Sequence, residues 1–231
     1  MHEKGRNVTL LSTLLAAGLG LTALYLLRQT LIARRVREAA RAGYFAEVAP
    51  LLQECRTQIQ ASGFARMAGR WQGLSIDLQA VPDTLTFRKL PSLWVMVTLT
   101  EPQPVRGEMH ILARPGQNDS FSRFAEMRVS VPLPPGFPES CALRCDGAEH
   151  LPPQAVVAGW AGLFAEPAMK ELVLSPKGLR IVFLAEEADR GRYLLFRDAE
   201  MGLAPLAAAR LLPQLERLRD LSRQVKEMDH G

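Results

Sequence analysis

Residues 7–27 carry no charge: Asn-Val-Thr-Leu-Leu-Ser-Thr-Leu-Leu-Ala-Ala-Gly-Leu-Gly-Leu-Thr-Ala-Leu-Tyr-Leu-Leu. A helix of about 20 residues is about 30 Å long, which matches the hydrocarbon core of a bilayer. The stretch is apolar on every face, and Tyr25 stands near one end, where an amphipathic ring suits the interface. The segment therefore predicts a transmembrane anchor over 7–30 after a short tail, 1–6. A buried core helix is the bland alternative, and a cleaved signal peptide the closer rival. The run is long for a signal peptide's apolar region, and no clean small-residue cleavage site precedes the arginines. Gly18 and Gly20 are two residues apart, so the four-residue spacing of a tight helix-pairing motif is absent.

Charge is distributed around this segment. The chain has a net charge of +4. Residues 1–42 hold seven basic and two acidic residues, and residues 43–231 hold 21 basic and 22 acidic. The membrane-flanking cations are Lys4 and Arg6 on one side and Arg28, Arg34, Arg35, Arg37 and Arg41 on the other. The heavier C-terminal flank favours a cytoplasmic domain under the positive-inside rule. With the excess located there, the domain lacks the electrostatic footprint of a nucleic-acid binder, and no nucleic-acid partner is expected. Arginine outnumbers lysine 23 to 5, which reads as GC-rich bacterial coding. The expected location is thus the inner membrane of a bacterium, single-pass, with the lipid bilayer itself as one partner.

Beyond the anchor the pattern predicts an α+β protein, with a mostly antiparallel sheet domain packed with helices. Leu31, Ile32, Val36, Ala39 and Ala40 continue the helix as far as Gly43. Val48, Leu51, Leu52, Cys55 and Ile59 predict a second amphipathic helix from Phe45 to Gln60, making 31–62 a juxtamembrane helical region. The soluble domain then occupies 63–231. Period-two alternation predicts strands over 64–71, 74–81, 83–87, 93–99, 109–113, 124–131, 141–145, 171–174, 179–185 and 193–196. Ser175-Pro176-Lys177-Gly178 marks a hairpin turn. The prolines of 132–153 predict a stiff loop around the strand at 141–145. A short helix is expected over 154–164, and a long one over 203–228 with Pro205 in its first turn.

Few residues nominate chemistry. Cys141, Cys145 and His150 are the nearest approach to a metal set, with His110 as a distant fourth ligand. Their spacing is not that of paired zinc ligands, so no metal and no cofactor are expected. No nucleophile elbow or phosphate-binding loop is present. Trp71, Trp94 and Trp160 each sit in an apolar element and read as core. The last helix carries Leu211, Leu215, Leu218, Leu221 and Val225 in steps of three and four, with charges on its other faces. That stripe either covers the sheet or forms a partner interface. The expected function is a membrane-anchored accessory or scaffold protein acting through protein–protein contacts or self-association. A tethered enzyme with a site scattered in sequence, or a binder of lipid or another apolar ligand, are the alternatives.

Overall fold

The computed structural model describes residues 2–84, 90–116, 119, 121–196 and 199–228, with the side chains of residues 2–13 and of Phe196 left out. It divides into two units, Met1–Ala40 and Arg41–Gly231. The first is helical. It belongs to α1, His2–Ala42, whose 41 residues correspond to about 60 Å. Within α1 the 29 residues Leu14–Ala42 are long and apolar enough to cross a membrane. Their large apolar side chains are exposed, Leu14 at 70% and Leu24 at 63%.

The second unit is built on a nine-stranded sheet in the order β1-β2-β3-β4-β9-β8-β5-β7-β6. The strands are β1 (Gln53–Ile59), β2 (Ala65–Trp71), β3 (Leu74–Asp83), β4 (Ser92–Leu99), β5 (Met109–Ala113), β6 (Val129–Val131), β7 (Cys141–Cys145), β8 (Met169–Ser175) and β9 (Gly178–Glu187). Every neighbouring pair is antiparallel. The helices are α2 (Gln154–Gly159), α3 (Arg190–Phe196) and α4 (Ala208–Met228). The α+β class with an N-terminal apolar helix is thus as the sequence predicts.

The register explains the alternation. Met67, Leu78, Val97, Ile181, Leu172, Ile111 and Leu143 lie side by side across seven strands. All are buried, and they form the inner face with α4 packed over it. Burying each such side chain is worth about 1.5–3 kcal/mol before the entropic cost of ordering the chain. One residue along, the neighbouring row on the opposite face is Ala68, Asp77, Thr98, Arg180, Val173, His110 and Arg144. Side chains alternate along a strand, so adjacent rows take opposite chemistry.

Several expected elements differ. Residues 45–60 are not a helix: Phe45 and Val48 enter the core through turns, Ala49–Leu51 is a single 3-10 turn with Pro50 in it, and β1 follows. Pairing with β2 overrides a weak helical pattern in a segment whose residues suit either state. Tyr193–Phe196 lies in α3 rather than a strand, because the Asp189 side chain accepts the N–H of Arg192 at 2.7 Å and caps the first turn. The strand expected over 124–131 is reduced to β6 after a 3-10 turn at Phe124–Glu126. The long helix begins at Ala208, so Pro205 precedes it and Pro213 lies inside it. Of the strand expected over 83–87, residues 85–87 lie outside the described residues.

Candidate functional site

The outer face of the sheet carries the polar residues that the inner face excludes. Asp119 and residues 121–128 lie over this face as a strap. It seats Phe121 and Phe124 on Met96, Leu112 and Val182, making a second hydrophobic cluster separate from the main core. Beside that cluster, beneath the strap, lies a set of ionisable groups.

Glu171 is completely buried, between Val182 and Leu112 in the sheet register. Its Oε1 accepts from the Ser122 hydroxyl of the strap and lies 2.9 Å from His110 Nδ1. Its Oε2 has no hydrogen-bond partner among the described residues. The other ring nitrogen, His110 Nε2, lies 2.8 Å from Glu108 Oε1. Burial alone would lower the His110 pKa, but the hydrogen bonds and charges of Glu171 and Glu108 outweigh it, and the net shift is upward. A protonated ring donates to both carboxylates, which satisfies the geometry on each side.

Lys170 joins this group through a β-bulge. The register with β9 shifts between Met169 and Glu171, so two consecutive residues of β8 lean to the same face. The Lys170 side chain is 4% exposed, and its ammonium lies 3.2 Å from Asp119 Oδ1 of the strap. It also donates to the Ala113 and Arg114 carbonyls at 2.9 and 2.8 Å. Buried charges persist only when paired and hydrogen-bonded in this way.

Next to His110 the face opens into a cavity of about 370 Å³. Its charged lining is Arg66, Arg123, Lys177 and Arg180 against Asp77 and Glu108. Arg66 is paired with Asp77 at 2.7 Å, and Arg123 with Glu126 at 2.8 Å and Glu108 at 3.6 Å. Arg180 donates from Nε to the Thr98 hydroxyl at 3.1 Å.

The residues nominated from sequence fall elsewhere. Leu211, Leu215, Leu218, Leu221 and Val225 are buried in the main core, so the stripe covers the sheet and offers a partner no apolar face on α4. Arg28 and Arg35 are exposed on α1, and Arg34 reaches Glu38 at 2.8 Å. Arg37 is half-buried, and Arg41 lies over the Phe64 ring at 5.5 Å. The side chains of Lys4 and Arg6 lie outside the described residues. Cys141 is half-buried and Cys145 buried, and burial pushes both thiols up. His150 Nδ1 stands 3.3 Å from Asp146. Among the described residues no group of three or more His, Cys, Asp or Glu is arranged to hold a metal.

One feature outside this cluster was also unmarked in the sequence. β1 is an edge strand whose seven residues are all exposed, including Ile59 at 53%. No family model matches the chain, and no curated protein is significantly similar to it.

Proposed function

We propose that the chain is a single-pass accessory or scaffold protein of a bacterial inner membrane, with its sheet domain in the cytoplasm, acting through protein–protein contacts. In this reading α1 is the anchor. Its basic flank, Arg28, Arg34, Arg35 and Arg37, favours an anionic cytoplasmic leaflet. The observation that carries the reading is the edge of the sheet. β1 is exposed on both faces, and among the described residues no strand pairs with its outer side. Such an edge accepts an extended segment of a partner through backbone hydrogen bonds. The alternative contact, α4, has its apolar stripe buried in the domain's own core.

The test is recovery of a partner from native membranes with the tagged full-length chain. Thr57→Lys with Ile59→Lys places two charges on the exposed edge without touching the core. A stoichiometric partner recovered with the unmodified chain and lost with the double variant is the expected result. No stoichiometric partner, or equal recovery with both chains, overturns the reading.

A further inference from the structure

We propose that the cavity on the outer face of the sheet binds a small phosphate-bearing ligand, held by Arg180 and Lys177. This stands apart from the edge-strand contact, since β1 contributes nothing to the cavity lining.

The first argument is charge. Arg66, Arg123, Lys177, Arg180 and the protonated His110 line the cavity against Asp77 and Glu108, and buried Glu171 behind the ring offsets His110, which leaves an excess of two positive charges. Local pairing takes up Arg66 and Arg123. Arg180 and Lys177 are left with no carboxylate partner among the described residues. A phosphate monoester carries close to two negative charges near pH 7, which matches that excess.

Geometry makes the same selection. Arg180 stands in the register row between Thr98 and Val173, on the cavity floor. Its Nε bond to Thr98 fixes the guanidinium plane and leaves the two terminal nitrogens for a planar, two-point grip on an oxyanion. Lys177 comes from the hairpin turn at the rim and supplies a point charge. Hydroxyls of Thr98, Thr100 and Ser175 line the same space. A volume of about 370 Å³ exceeds a bare phosphate and lies at the small end of ligand pockets. The remainder of the ligand would lie along Val173 and Pro176.

A phosphate monoester reaches such a site either free in solution or as a lipid headgroup. The experiment uses the full chain in phosphatidylcholine nanodiscs, with phosphorus NMR as readout. One arm adds glycerol 3-phosphate. The other replaces part of the lipid by phosphatidate. Phosphatidylcholine, a diester without the second negative charge, is the internal control. The monoester resonance is expected to shift or broaden saturably in at least one arm. Arg180→Gln weakens binding about tenfold, and Lys177→Gln by about threefold. Asp77→Asn, which releases Arg66 from its partner, tightens it by about threefold. A response to glycerol 3-phosphate alone assigns a free ester, and a response to phosphatidate assigns a headgroup. No saturable response in either arm, or affinities unchanged in all three variants, overturns the proposal.

Discussion

His110 Nδ1 and Glu171 Oε1 lie 2.9 Å apart where neither side chain is more than 3% exposed. The contact is diagonal across β5 and β8, since His110 faces Val173 and Glu171 faces Leu112 in the register. A protonated imidazole held between Glu171 and Glu108 has a pKa above its ordinary 6.5. A raised folded-state value contributes stability that is complete below the unfolded pKa and is lost as pH rises through the folded one. Thermal unfolding of the full chain in neutral detergent should therefore show stability falling as pH rises above about 6.5, and a flatter profile for His110→Gln. Parallel profiles for the two chains would refute the assignment.

The α4 stripe is core. Leu215→Ala, at a fully buried position, should cost about 2–5 kcal/mol in urea unfolding. Leu215→Glu should abolish the fold, because it places a carboxylate in the hydrophobic core. A folded Leu215→Glu chain would return α4 to the list of partner surfaces.

The two hydrophobic clusters have no buried residue in common. Phe121→Ala, which empties the strap's seat on Met96 and Val182, should cost about 3 kcal/mol. Combined with Leu215→Ala, the losses should add to within about 0.5 kcal/mol. A larger coupling energy in the double-mutant cycle would show that the strap and α4 share one cooperative contact.

The β8–β9 turn depends on Gly178. Its φ of +151° suits glycine, and a Cβ there would run into the Leu99 carbonyl. Gly178→Ala should destabilise by at least about 2 kcal/mol, read from the urea midpoint at unchanged slope. A neutral substitution would mean that the turn relaxes away from β4.

Cys55 reports topology without any engineered label. It is exposed on β1, whereas Cys141 is half-buried and Cys145 buried. With the domain in the cytoplasm, a membrane-impermeant maleimide should leave Cys55 unmodified in intact spheroplasts and modify it in inverted vesicles. The opposite pattern reverses the proposed orientation.

Most strands were legible because one face of each is buried. In β4, Leu93, Val95, Val97 and Leu99 all enter the core, and their spacing of two is visible in the sequence. The 45–60 segment was not legible, because β1 is exposed on both faces and carries no alternation. α3 was missed through Asp189, which reads equally as a turn residue or a helix cap. The polar cluster was hidden for a different reason. Glu108, His110, Ser122 and Glu171 come from three separate segments, and only the register of β5 with β8, and the strap above them, bring them together. A usable hint was present: Lys170 and Glu171 stand together at the start of an otherwise apolar strand, which demands partners.

The bulge in β8 has a consequence for how such a cluster can arise. Met169 faces Phe183 and Glu171 faces Val182, so Lys170 is the one residue without a place in the ladder. Removing it leaves both flanking registers intact and an uninterrupted pleat. The cation that fastens Asp119 of the strap is therefore separable from the rest of the sheet. Its deletion would keep the ladder of β8 with β9 continuous but take from Asp119 and from the Ala113 and Arg114 carbonyls the ammonium they now hold.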